Sequence, residues 1–295
     1  IFISVISIII TIFSIYSLIN KGYEKRFNSN IENYTLDNKF HSDKWTFEKE
    51  KYFNSKNIKN FTKEKINILI VGNSHGQDLF NLFFFQKDLF NDYNIQYSVT
   101  RGGKDLLNFF KNSNDCNFYS KNLIPLKSKY ADKDNKKICN ADYLVISNRY
   151  NDWDLIYLDQ IYKISKKIDK KLILVKIKPH FNTYGTLTII DKFVLKNNGL
   201  PNENEIEILE KKYFHSQKNN KYINDMNLKL VLFSEKRKIK ILDVSSLFCD
   251  YTSQRCEILT NNLEKIIYDS SHFSIEGAKY LGKKAFLTKW LENAF

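Results

Sequence analysis

Proline and glycine are scarce: the 295-residue sequence holds 3 Pro and 9 Gly. That excludes collagen-like and Pro-rich repeats and leaves little material for long flexible linkers. Cysteine is almost as rare, at four, and no CxxC pair or metal-spaced histidine accompanies it, so the sequence offers no metal site. Also missing is any short window that is almost purely basic. Lys and Arg outnumber Asp and Glu 46 to 33, a net charge of +13, yet the basic residues are scattered among Asn, Ser, Asp and Glu. Without clustering, that excess argues against a nucleic-acid partner. No internal repeat is visible.

What is present is ample apolar material, 43% hydrophobic and 15% aromatic, enough for a large core. Residues 1–19 carry no charge. As a helix they would reach about 30 Å, the hydrocarbon thickness of a bilayer. A signal peptide is the competing reading, but neither a basic leader nor a small-residue cleavage site is visible. The expectation is therefore a transmembrane helix over 1–20 that anchors the chain to a membrane, followed by a juxtamembrane connector over 21–64 and a domain over 65–295. The chain begins without Met, as a piece of a longer protein would.

Lys21, Lys25 and Arg26 follow the span directly, which by the positive-inside rule points the domain toward the cytoplasm. The cysteines point the other way. An even count behind a membrane span reads as two disulfides and an oxidising compartment, against the alternative of four buried free thiols. Cys249 with Cys256 would close a short loop worth about 2.5 kcal/mol of chain entropy, against about 3.4 for Cys116 with Cys139. The balance puts the domain outside the membrane.

From Lys65 onward strands and helices alternate. Short β-branched runs predict strands at 66–72, 95–99, 142–147, 171–177 and 238–244. Between them, apolar spacing predicts helices at 74–90, 104–112 and 153–168. A further helix follows Pro201 and continues, broken, to about 236, and a last one runs from a Ser274 cap to about 291. This alternation implies an α/β three-layer sandwich around a central parallel sheet, with its site beyond the carboxyl ends of the strands. The run Phe83-Phe84-Phe85, on a buried helix, reads as core rather than substrate platform.

Gly72-Asn73-Ser74-His75 sits where the first strand ends and its helix begins. Such a turn lifts a serine hydroxyl to the sheet edge and aims free helix-start N–H groups at whatever it attacks. Alone, Ser74 reads better as a helix cap, since a lone Gly-x-Ser is a weak signal. Asp269-Ser270-Ser271-His272, just before the final helix, supplies the other half: an Asp three residues before a His can hold Nδ1–H and leave Nε2 for a serine. His180, after Pro179 at the end of a strand, falls on the same edge as a candidate substrate wall, whereas His41 and His215 have no supporting context.

These two motifs resemble blocks I and V of the SGNH (GDSL-like) hydrolase superfamily, and more narrowly the SGNH domain attached to membrane acyltransferase-3 proteins. Tyr268, Asp269, His272, Ser274, Gly277 and Ala278 fall in register with the last block, and a cysteine pair shortly before it, here Cys249 and Cys256, is a habit of these domains. Asn73 stands where the family usually has Asp, and Phe273 where it usually has Leu.

The resemblance spans roughly 65–295 and implies a flavodoxin-like fold with Ser74 as nucleophile and Asp269–His272 as its acid–base pair. It implies an oxyanion hole built from the N–H groups of Ser74 and of Gly102 or Gly103, which the Asn148 amide could complete, with its neighbour Arg149 on the substrate side together with His75 and His180. His75 would be a positioning residue. The implied reaction is O-acyl transfer, acetyl by resemblance, to hydroxyls of a cell-surface polysaccharide such as lipopolysaccharide. No cofactor is required, and the acyl group would arrive from an acyltransferase membrane domain in the inner membrane, with the SGNH domain in the periplasm. The alternatives are a membrane-anchored carbohydrate esterase using the same residues, and a non-catalytic glycan-binding domain.

Overall fold

The computed structural model describes residues 61–111, 116, 131–184, 187–218 and 220–295, with 10, 11 and 14–16 at the N-terminal end. Most of the expected transmembrane span and most of the connector lie outside the described residues. Among the described residues no helix is long and apolar enough to cross a membrane.

Five strands form one sheet: β1 (Ile66–Gly72), β2 (Tyr93–Val99), β3 (Tyr143–Ser147), β4 (Lys171–Val175) and β5 (Lys240–Leu242). All neighbours pair in parallel, in the order β2-β1-β3-β4-β5. Every strand therefore ends at the same edge. The order reverses direction beside β1, so a crevice opens between the turns that leave β1 and β3.

Alternation along the strands sorts side chains to two faces. Ile68, Ile70, Val145, Ile173 and Val175 face one core, whereas Leu69, Val71, Leu144, Ile146, Leu172 and Leu174 face the other. The first core is closed by α1 (Ser74–Phe84), α5 (Ile189–Asn197), α6 (Glu203–Lys218) and α8 (Ile275–Leu287). The second is closed by α2 (Gly103–Lys111), α3 (Ala131–Asn140), α4 (Asp152–Lys167) and α7 (Lys221–Arg237). The expected three-layer α/β sandwich is what forms.

The elements depart from expectation in several places. Helix α1 stops at Phe84 rather than near 90, because the chain turns there and the Gln86 side chain donates 2.9 Å to the Lys279 carbonyl on α8. Helices α3 and α5 have no counterpart in the sequence reading, which leaves 113–141 as a polar loop. Helix α5 rests on a capping box in which Thr188 and Asp191 exchange backbone and side-chain bonds. A two-stranded hairpin, β6 (Cys249–Asp250) with β7 (Arg255–Cys256), was too short to see as a period; the Cys249–Cys256 disulfide closes it. Cys116 and Cys139 form the second disulfide, and no free cysteine remains among the described residues. Phe83 is buried and Phe84 and Phe85 pack partly against the same core, as a structural role requires.

The contact that matters most for the site is between α8 and α1. A Cβ on Gly282 would lie 2.1 Å from the Leu82 carbonyl oxygen, so only glycine permits this backbone approach. Gly282→Ala is expected to destabilise the protein by about 1–3 kcal/mol through overpacking, read as a lowered urea midpoint with unchanged m-value.

Candidate active site

Ser74 opens α1 at the carboxyl end of β1. Asn73 caps the helix, its side chain accepting from the His75 N–H at 3.0 Å. The turn is pinned from beneath by Tyr97 on β2, whose hydroxyl donates to the Gly72 and Asn73 carbonyls at 2.9 Å each. Gly72 is required by packing, since a Cβ there would meet the Ser147 carbonyl at 1.7 Å. Ser74 itself stays partly exposed.

The second half is a preorganised turn. The Asp269 carboxylate accepts from the Ser271 and His272 N–H groups with one oxygen, at 2.7 Å each, and contacts His272 Nδ1 at 2.7 Å with the other. Burial works to raise the Asp269 carboxyl, but those hydrogen bonds and the His272 charge outweigh it and leave it below the ordinary carboxylate range. With Nδ1 occupied, Nε2 is the remaining ring nitrogen, and it is shielded from solvent. The turn is held in place by Ser274, which caps α8 by accepting from Gly277 N–H at 2.9 Å, and by the Phe181 N–H donating 2.8 Å to the Ser270 carbonyl.

Three imidazoles converge here. His75 stacks on His180 with centroids 5.7 Å apart and meets His272 edge-on at 6.1 Å. Burial first, then the positive charge of Lys178 and the neighbouring histidines, holds His75 well below the ordinary histidine range. His180 is pushed down to about 4 by burial, with Arg149 and Lys178 adding to it. Both are therefore neutral at physiological pH, which leaves them as hydrogen-bonding walls rather than cations.

Both candidate glycines follow β2, but they differ. The Gly103 N–H is already bonded to the Asp154 carboxylate, and a Cβ on Gly103 would strike that same side chain. Gly102 sits at φ 131°, in the region open to glycine, with open space above it. Asn148, at the exit of β3, is 2% exposed, and its amide nitrogen and oxygen have no hydrogen-bond partner among the described residues. The same is true of Thr100 Oγ1 and His75 Nδ1. Orphaned buried polar atoms are rare in native proteins and mark a place for a ligand or water. Arg149 is exposed beside this crevice.

The sequence reading missed two residues close to the site. Asp78, one turn along α1 from Ser74, and Lys178, just after β4, form an ion pair whose side chains are 1% and 4% exposed. His215 lies apart on α6 beside Phe214, and His41 lies outside the described residues. Among the described residues no cluster of His, Cys, Asp and Glu has the geometry to hold a metal ion.

Residues 42–285 match the model of the SGNH domain fused to AT3 domains. Among solved structures, the chain is similar to the periplasmic domain of a Salmonella ser. Paratyphi A lipopolysaccharide acetyltransferase, at 14% identity and a TM-score of 0.49 over 94% of this chain and 95% of that one. It is also similar to a GDSL-like lipase from Bacteroides thetaiotaomicron, at 12% identity and a TM-score of 0.43 over 88% and 99%. An acetyl xylan esterase matches at 11% identity and a TM-score of 0.38 over 75% and 98%. No curated protein matches the sequence.

The depressed histidines carry a pH signature. Unfolded, His180 titrates near 6.5; folded, it resists protonation down to about 4. The unfolded chain therefore binds more protons in that window, and stability is full above it and lost as pH falls through it. His180→Gln is expected to flatten the fall of the urea midpoint between those two pH values, measured by denaturation across the series.

Proposed function

The chain belongs to the family of SGNH domains fused to AT3 domains, and from that premise we propose that it transfers an acyl group, acetyl by kinship, to a hydroxyl of a cell-surface polysaccharide through an acyl-enzyme on Ser74. The observation that carries this reading is the Asp269–His272 contact at 2.7 Å, built into a turn that starts α8 beside the helix that Ser74 starts.

His272 Nε2 takes the proton of Ser74 Oγ as the oxygen attacks the acyl carbonyl, and Asp269 steadies the imidazolium. The tetrahedral intermediate collapses, the bond to the donor's leaving group breaks, and that group leaves with the proton. An acceptor hydroxyl then gives its proton to His272 and attacks the Ser74 ester; the Ser74 Oγ–acyl bond breaks, and His272 returns the proton to Ser74 Oγ, which regenerates the serine.

The negative oxygen formed in each half-reaction is held by the Ser74 N–H and the Gly102 N–H, with Asn148 Nδ2 as third donor. Gly102 is preferred to Gly103 because the Gly103 N–H already serves Asp154. Asn148 is preferred to Arg149 because its amide is buried and orphaned. His75, His180 and Arg149 line the acceptor side. The acyl group comes from an AT3-type membrane domain, and the two disulfides suit a site in the periplasm, outside the inner membrane.

Ser74→Ala and His272→Ala are each expected to lower kcat by about 10³-fold or more without loss of stability. Asn148→Ala should cost about 10²-fold in kcat as one lost oxyanion donor. The assay follows acetyl appearance on glycan and acetate release in parallel. Full O-acylation by Ser74→Ala in cells would overturn the reading in favour of a binding domain, and acetate release with no glycan product would make the protein an esterase.

A further inference from the structure

We infer that the buried Asp78–Lys178 ion pair is a positioning element of this site, locking the nucleophile helix to the β4 exit and fixing opposite charges beneath the Asp269–His272 pair. The inference rests on the proposed roles of Ser74 and His272. Lys178 Nζ contacts the Asp78 carboxylate directly and lies 4.4 Å from the ring centroid of Phe273, the residue after His272. Asp78 is on α1, one turn beyond Ser74, and Lys178 precedes the Pro179-His180 step whose imidazole stacks on His75. The pair thus touches α1, the strap after β4 and the turn carrying His272 at once.

Stability alone gives no reason to keep it. Two ions removed from water lose more solvation than a moderate contact returns, and apolar replacements of buried pairs are often neutral or stabilising. What an apolar replacement cannot supply is a fixed field in a low-dielectric setting. Burial pushes Asp78 up and Lys178 down, and their mutual contact opposes both shifts. Their charges also reach the site: His272 and Asp269 act on Asp78, and Lys178 acts on His75 and His180. The lysine disfavours a proton on those two rings. The pair thereby helps hold His75 and His180 neutral beside the Asp269–His272 turn.

The test uses the full chain and a small acetyl ester, which needs no glycan. Lys178→Met and Asp78→Asn each remove one charge of the buried pair and are expected to lower both stability and kcat. The Asp78→Asn/Lys178→Met double variant keeps the volume without the charges. It should recover a urea midpoint close to wild type, while kcat stays about 10- to 100-fold down and KM stays within about twofold. Lys178→Arg, which keeps the charge, should retain kcat within severalfold.

A double variant with wild-type kcat, a loss confined to KM, or a Lys178→Arg variant as slow as Lys178→Met would each overturn the inference. Ser74→Ala in the same assay reports separately on the triad: if it still turned over, the triad reading would fail whatever the ion pair does.

Discussion

Two helices that begin far apart in the chain must start side by side at one edge of the sheet, and the close approach of α8 to α1 enforces it. Leu82 and Gly282 meet backbone to backbone, so the spacing between the helices cannot drift by the width of a methyl group without a clash. Ser74 opens the first helix and Ser274 caps the second, two residues beyond His272. The sheet supplies the rest. Parallel pairing ends every strand at one edge, and the reversal of strand order beside β1 opens the crevice between Ser74 and Asn148.

On that frame the electrostatics are a problem of crowding. Around the Ser74 turn the fold gathers three imidazoles, two carboxylates, a lysine and an arginine that act on one another, in surroundings where charge is costly. Each is resolved differently. His75 and His180 are neutral because burial outweighs any partner they have. Asp269 remains a carboxylate because three hydrogen bonds outweigh its burial. Asp78 and Lys178 answer one another. Paired groups whose surroundings drive them to different protonation states are what proton-transfer chemistry requires.

The same physics explains what could be read from the sequence. Strands β1 to β5 and most helices were legible because strands buried on both faces read as short continuous β-branched runs and buried helices as apolar spacing at period 3.6. The helix start at Ser74 and the Asp269–His272 turn were legible because each depends on residues close together in the sequence. Helix α5 was not, since its start depends on the Thr188–Asp191 box rather than on a long period. Neither was the β6–β7 hairpin, which a disulfide holds instead of a pattern. Asp78 and Lys178 were invisible for a deeper reason. A lone Asp on a helix or a Lys after a strand is nearly always solvated, and only the fold brings the two together. The choice between Gly102 and Gly103 likewise turned on an Asp154 contact that no spacing encodes.

The exposure of the site bears on transfer against hydrolysis. His272 and Asp269 keep 25% and 33% of their side-chain surface and Ser74 is partly open, so although His272 Nε2 is shielded, the described residues leave the mouth of the crevice open to water. In the proposed reaction water exclusion is therefore not what favours transfer. An acceptor hydroxyl held in line with the Ser74 ester has an effective concentration that reaches about 10⁵ M or more in well-oriented cases, far above the ~55 M of bulk water. Selectivity then rests on how well the walls, His75, His180 and Arg149, orient one hydroxyl. Weakening those walls should raise acetate release relative to transfer while leaving acylation of Ser74 intact, so the same triad would act as an esterase without any change in its own chemistry.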